Sequence, residues 1–456
     1  MKNPSATADF SPDLPAASAD AIAFARPTPG AAWGMVGILV LASVFSFIDR
    51  QILTLLVQPI RADLHIGDTE ISLLQGLAFT IFYSVLGLPL GRYADRGNRR
   101  NMIIVGIGFW SLMTMCCGLA DSYGQLFLAR IGVGVGEAAL APAAYSLICD
   151  AFAPRKRGTA LGVYSSAIYL GIGMSIVVGG VVIAMVRGAT SVTLPLLGEL
   201  RSWQAAFVYV GLPGLLMLPI LLLIREPQRD PAMRSRPQPP LREGWRYARS
   251  HRRAFVTQLL GYAFIAMAAY AFGSWVPTYF IRVHGWLASE AGIRYGLAVS
   301  LFGTLGGVLG GWLADRWLHR GRRDARLLVT AAAPVMWIPL VVAAMATSDA
   351  RQALLLAGAA AGFSSMANSL GPTTLQDMVP PWLRGQATAV FFFVVNLLGL
   401  SVGPTAVALF TDRVFHDDAM LGRSIVCVVV PAILIGTALV LSGRRAYLSA
   451  SSGSPT

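Results

Sequence analysis

The sequence predicts an all-α polytopic membrane protein whose twelve transmembrane helices form two pseudo-symmetric six-helix bundles. Three observations predict it. Hydrophobic residues fill 55% of the 456 positions and charged residues only 13%, a balance that a water-soluble domain could not cover with polar surface. Apolar stretches of about 20 residues, the length that crosses a hydrocarbon core, recur along nearly the whole chain. Short motifs from the first half also return in the second with matching spacing.

Span length places helices near 33–60, 70–94, 102–120, 124–150, 158–185 and 203–224, then near 253–281, 291–318, 327–347, 351–377, 385–411 and 422–443. The domains expected are a disordered tail at 1–32, a bundle at 33–224, a linker at 225–252, a bundle at 253–444 and a tail at 445–456. The first stretch is rich in Ala, Ser, Pro and Asp and lacks the basic start and apolar run of a cleaved signal peptide. The linker opens Arg225-Glu226-Pro227 and contains many arginines, and TSVTLPLLGELRS before the sixth helix reads as an exterior loop.

Orientation follows from basic residues in short loops. Arg96, Arg99 and Arg100 follow the second helix, Arg155, Lys156 and Arg157 the fourth, and Arg316, Arg320, Arg322 and Arg323 the eighth. The other loops carry Asp63, Asp68, Glu70, Glu290, Asp349, Asp417 and Asp418. Both termini are therefore expected in the cytoplasm, in a multi-pass protein of the cell inner membrane. The same clustering explains the net charge of +13 without a nucleic-acid partner. Cys116, Cys117, Cys149 and Cys427 lie in apolar segments and are expected to be packing residues.

Gly91-Arg-Tyr-Ala-Asp95-Arg96 returns as Gly311-Trp-Leu-Ala-Asp315-Arg316, and Asp150, Pro154, Arg157, Gly158 and Ala160 match Asp377, Pro381, Arg384, Gly385 and Ala387. Parallel halves of this kind place a substrate site between them near the midplane.

Charges inside the spans mark that site. Asp49 and Arg50 stand about 16 residues into the first helix, roughly 24 Å along it, where each ionised group costs about 2.5–3.5 kcal/mol. Adjacent residues project about 100° apart, so each is expected to seek a partner on another helix. Glu137 falls at similar depth on the antiparallel fourth helix, with Arg130 two turns away on the same face. A packing ion pair is the structural alternative. The functional reading has Asp49 and Glu137 titrating as a coupled set that carries the proton, since His65, His251, His284, His319 and His416 all fall in loops or at helix ends.

The second half offers Tyr270, Ser274, Trp275, Ser364, Ser365, Asn368 and Asn396 beside Phe391-Phe392-Phe393, with no mid-helix charge. The imbalance suggests an amphipathic substrate, its ionic head toward Arg50 or Arg130 and its apolar part toward Tyr270, Trp275, Asn368 and Asn396. A lipid fits, and so does an aromatic organic anion.

GRYADRGNRR and RIGVGVGEAALAPAA resemble the loop and fourth-helix motifs of the major facilitator superfamily, a likeness that runs from 33 to 443. FSFIDRQILTLLVQPI, RIGVGVGEAALAPA and WQAAFVYVGLPGLL with REPQR are most similar to its Spinster-like branch. The resemblance implies alternating access and proton-coupled movement of lysophospholipid or sphingosine-1-phosphate-like lipids by a monomer. It also implies that Asp95, Arg96, Arg100 and Asp150, with Asp315 and Arg316 as weaker equivalents, gate the cytoplasmic side. The fifth-helix glycines Gly171, Gly173, Gly179 and Gly180 lack the proline of the antiporter motif.

Neither a cofactor nor a metal is expected. GVGVGE has no preceding strand or phosphate-binding Lys, so ATP-driven transport has no support. A membrane enzyme would need a nucleophile, metal cluster or His–Asp pair, and the histidines show no such grouping. A proton-linked carrier of organic anions or drugs is the alternative within transport.

Overall fold

The computed structural model describes residues 27–186, 191–194, 197–228, 241–380 and 383–452. Among them, eleven helical segments are long and apolar enough to cross a membrane, and the apolar stretch Leu170–Met185 of helix Pro154–Met185 supplies a twelfth. The first span, Pro29–Leu55, starts earlier than the apolar run because Pro29 occupies the first turn and Thr28 Oγ1 accepts the Ala31 N–H, a proline-led helix start. The predicted N-terminal tail lies outside the described residues apart from 27–32.

Several spans are broken near mid-depth. The second divides into Asp68–Gln75 and Leu77–Arg96 at Gly76, and the fourth into Tyr123–Glu137 and Leu140–Ala151 directly after Glu137. The tenth breaks after Ala350–Asn368. The eleventh, beginning with Arg384–Val395, passes through a π-turn at Asn396–Leu400 into Ser401–Leu409. Pro404 lacks the N–H that would bond the carbonyl four residues back, which leaves Leu400 O available. Gly76 sits against that carbonyl, and a Cβ there would lie 3.2 Å from Ser401 Cα. The two halves thus cross at a point where only glycine fits.

Small residues close a second crossing, between the fifth span and the eighth. A Cβ on Gly292 would stand 2.8 Å from Gly180 Cα. Such contacts let membrane helices approach backbone to backbone.

Two segments expected as loop and linker carry regular structure. The loop before the sixth span, which begins at Ser202–Leu216, forms a two-stranded antiparallel hairpin pairing Ser191–Leu194 with Gly198–Arg201. Arg201 reaches Asp63 at 2.6 Å and Trp203 Nε1 donates to the same carboxylate at 2.8 Å. A helix, Leu241–Ser250, precedes the seventh span, Arg252–Arg282. Cys117 is buried, whereas Cys116 and Cys427 lie exposed on the outer faces of their helices, so packing does not account for all the cysteines.

Spans alternate in direction, so one end of the molecule carries the start of the first span and the end of the twelfth, Leu421–Ser442. The two ends are built differently. At the end away from the termini, ion pairs join the halves: Arg282 holds Asp68 through two hydrogen bonds of 2.6 Å, and Arg61 holds Asp418 at 2.7 Å and Asp68 at 3.2 Å. Thr69 adds N–H and hydroxyl bonds to Asp412, both 2.7 Å. At the terminal end, no ion pair among the described residues joins the halves, and each half is tied to itself.

Candidate functional site

The first and fourth spans bring Asp49, Arg50, Arg130 and Glu137 together at mid-depth. Arg50 Nε donates to Glu137 Oε2 at 2.6 Å, its Nη2 stands 2.5 Å from the same oxygen, and Ser46 Oγ donates to it at 2.6 Å. One carboxylate oxygen therefore takes three donors. Glu137 Oε1 is buried without a partner. The break in the fourth helix after Glu137 presents this side chain to the first span.

Arg50 is held on its other sides by aromatic faces. Its guanidinium carbon lies 4.4 Å from the Phe79 ring centroid, 4.8 Å from that of Tyr83 and 5.5 Å from that of Phe47. Desolvated cation–π contacts of this kind contribute about 2 kcal/mol and help offset the cost of burying the charge. Arg50 nevertheless keeps 23% of its side chain exposed, whereas Glu137 has none. Arg50 is the more accessible partner of the pair.

Arg130 is wholly buried and spends its N–H groups on backbone carbonyls, those of Asp49 at 3.1 Å and Leu74 at 3.4 Å. It fixes the first and second spans against the fourth and does not pair with a carboxylate. Asp49 is 2% exposed, with no cation at ion-pair distance among the described residues and Oδ1 without a hydrogen-bond partner. Thr114 and Trp110 of the third span, Arg99–Cys117, lie beside it, and Arg130 and Glu137 act on it through space. The site thus holds one ion-paired acid, Glu137, and one unpaired acid, Asp49.

The second half meets this cluster with neutral groups. Tyr270 lies within electrostatic reach of Arg50 and Tyr83, and its hydroxyl donates to Asn396 Oδ1 at 3.0 Å. Asn396 opens the π-turn of the eleventh span, where the widened backbone positions it toward the seventh. Asn368 closes on its own helix, its Nδ2 donating to Ser364 O at 2.9 Å. Trp275 is fully buried and gives its indole N–H to Pro404 O at 2.9 Å. The structure brings Tyr270 and Asn396 to the seam and leaves Trp275 in the interior.

Arg100 bonds within its own half, through its N–H to Glu226 Oε2 at 2.9 Å and through Nη1 to Ile224 O at 3.5 Å. Asp150 pairs with Arg99, whose Nε also donates to Glu226 Oε1 at 2.6 Å. The buried cation at this corner is Arg99, which sequence reasoning treated only as a topology signal. Asp315 stands 3.9 Å from Arg326, which binds Asp377 at 2.5 Å, and Arg316 lies over the Trp312 ring at 5.3 Å. The side chains of Asp95 and Arg96 lie outside the described residues.

Sequence reasoning missed Ser46, Phe79 and Tyr83 around Arg50, and Asp68, Arg282, Asp412 and Asp418 at the sealed end. Phe79 and Tyr83 are spaced i, i+4, a signal that one face of the second span is aromatic.

A bundle of twelve apolar helices in two halves, with ionisable groups at mid-depth between them, defines a membrane transporter. The Major Facilitator Superfamily matches residues 39–404, and the chain belongs to that family. It is 32% identical to an MFS-type efflux pump of Mycolicibacterium smegmatis, over 90% of this chain and 92% of the relative. It is 27% identical to human protein spinster homolog 1, over 85% of this chain and 74% of that protein. Among solved structures, a bacterial homolog of the human lysosomal transporter Spinster, inward-facing and unoccupied, superposes with a TM-score of 0.72 at 27% identity, covering 93% of this chain and 98% of the other. A D-xylose-proton symporter shares the fold with a TM-score of 0.65 at 16% identity, over 88% and 97%. These relatives place the chain in the Spinster-like branch.

Proposed function

We propose that this chain is a proton-coupled secondary transporter that moves an amphipathic anionic or zwitterionic substrate, such as a lysophospholipid or a sphingosine-1-phosphate-like lipid, by alternating access. The observation that carries the reading is the asymmetry of the mid-depth site: Arg50 accessible beside aromatic rings, and neutral Tyr270 and Asn396 opposite. An anionic head binds the guanidinium, and an apolar body lies along the aromatic and neutral surface of the second half.

Asp49 and Glu137 carry the proton. An unpaired buried carboxylate is costly, so a proton taken up by Asp49 removes a charge that the surrounding helices leave unmatched. Protonation of Glu137 would release Arg50 to the substrate head. Because Arg50 and the proton compete for Glu137 Oε2, proton loading frees Arg50 and so favours loading of the substrate head, the linkage that coupled transport requires.

With the basic-loop face in the cytoplasm of an inner membrane, the sealed end would be exterior; the ion pairs joining the halves there and the likeness to an inward-facing relative support an inward-facing state. Asp95, Arg96, Arg100 and Asp150, with Asp315 and Arg316, would then exchange partners across the halves when the cytoplasmic side closes. A monomer is sufficient for this cycle. The efflux-pump relative supports the second reading, a proton-linked carrier of organic anions or drugs.

The test is a thermal-shift screen of purified protein against lysolipids, sphingolipids and organic anions, followed by proteoliposome flux under an imposed proton gradient. Stabilisation and saturable transport of a lysolipid are expected. Saturable transport of sugar acids with no lipid response would sink the lipid reading.

A further inference from the structure

The helix Leu241–Ser250 has two faces with different fates. Tyr247 is half-buried, donates its hydroxyl to Met378 O at 2.8 Å and stacks on His251 at 4.4 Å between ring centroids. Gly244 sits over Gln386 and Leu383 at the start of the eleventh span. Gly244, Tyr247, Ala248 and His251 fall on one side at helical spacing and are the partly covered residues of the segment. This side docks on the terminal end of the second bundle.

The opposite side is strongly basic. Arg242, Arg246, Arg249 and Arg253 share it, with Arg252 and Trp245 along one margin, and all are exposed. Trp245 is 73% exposed, among the most open large apolar residues described. None of these five arginines forms an ion pair among the described residues, and Glu243 is the one acid within the helix. Tyr247 locks the rotation of the helix, so the arginine face cannot turn inward to find partners.

We propose that this face docks on the anionic phospholipid headgroups of the leaflet it meets. Charge complementarity names the partner: unpaired guanidiniums in a row match phosphate-bearing headgroups, to which a basic segment next to a spanning helix is attracted. Position agrees, because Arg252 already begins the seventh span and so the helix is held at the membrane boundary. Trp245 is of the type that settles at headgroup level. Through Tyr247, headgroup binding would brace the tenth and eleventh spans, whose breaks carry Asn368 and Asn396.

The proposal does not depend on the identity of the transported substrate. The full chain is reconstituted in phosphatidylcholine liposomes doped with either brominated phosphatidylglycerol or brominated phosphatidylcholine, and the Trp245 signal is isolated as the difference between wild type and Trp245→Phe. Brominated phosphatidylglycerol is expected to quench that signal at least about twofold more, with the excess lost at high salt, as surface attraction to anionic lipid requires. Arg242→Gln/Arg246→Gln/Arg249→Gln, a variant that leaves the spans untouched, should equalise the two lipids. Equal quenching in wild type, or none from either lipid, would overturn the proposal; should the triple variant fail to fold, the wild-type comparison decides alone.

Discussion

The two halves share a fold but carry opposite chemistry at matched positions. The repeat that aligns Asp150 with Asp377 pairs Glu137 with Ser364 and Arg130 with Ala357. In the first half these positions hold a buried acid and a buried base; in the second, a hydroxyl that accepts a bond from Asn368 at 3.4 Å and a methyl packed in the core. At the terminal end the two halves do resemble each other. Arg99 on Asp150 is mirrored by Arg326 on Asp377, with Tyr447 adding a 3.0 Å bond. The halves share these scaffold rivets, and at the matched mid-span positions only the first carries charge.

That division can be broken most severely at Glu137. Glu137→Gln removes the charge that neutralises Arg50, and stranding one partner of a buried pair costs about 3–5 kcal/mol. Flux in proteoliposomes should fall by about 100-fold or more, while detergent size-exclusion still reports a monodisperse protein. The seam between the halves comes next. Asp68→Asn leaves Arg282 and Arg61 facing each other without their shared carboxylate, and the same order of about 3–5 kcal/mol is withdrawn from the sealed state. Electron-spin distances between labels on the two bundles at that end should lengthen and broaden; an unchanged distribution would show that packing alone closes it.

Gly76→Ala tests the crossing. The new methyl meets the Leu400 carbonyl, and overpacking of this kind costs about 1–3 kcal/mol, read as a lowered melting temperature. Smaller still are the neutral contacts. Tyr270→Phe deletes one hydrogen bond worth about 0.5–1.5 kcal/mol, so substrate affinity should weaken about 2- to 10-fold with proton dependence intact. Trp275→Phe, which does not reach the seam, should alter stability and leave affinity unchanged.

Much of this arrangement was legible in the sequence, because a bilayer penalises what it does not need. Asp49, Arg50, Arg130 and Glu137 stood out as ionisable residues inside apolar runs, and antiparallel spans of known rise fixed their common depth. The repeat could be read because Asp150 and Asp377 lie at matched helix ends. Partner choice was not legible. Arg130 bonds two carbonyls rather than an acid, a result that depends on where the second span breaks, and Gly76 alone does not announce a break.

The sealed end was hidden for a related reason. Asp68 and Asp418 read as loop charges of a topology pattern, and only the approach of the two bundles joins them in one network with Arg61 and Arg282, buried at Asp68 and open at Asp418. Aromatic residues around Arg50 were hidden by abundance: in a chain of 21 phenylalanines, Phe79 has no sequence mark that separates a cation-facing ring from a lipid-facing one. Trp275 shows the reverse case: a polar-tipped aromatic in a span invites a binding role, and its indole N–H is taken by Pro404 O.

In the proposed cycle, one half carries both the proton and the substrate head. This is tested most directly by uphill substrate flux in proteoliposomes driven only by an imposed pH gradient, compared between wild type and Asp49→Asn. The account predicts concentrative transport in wild type and, in the variant, retained substrate exchange with no accumulation. Accumulation by Asp49→Asn at the wild-type level, with the same dependence on the gradient, would contradict it.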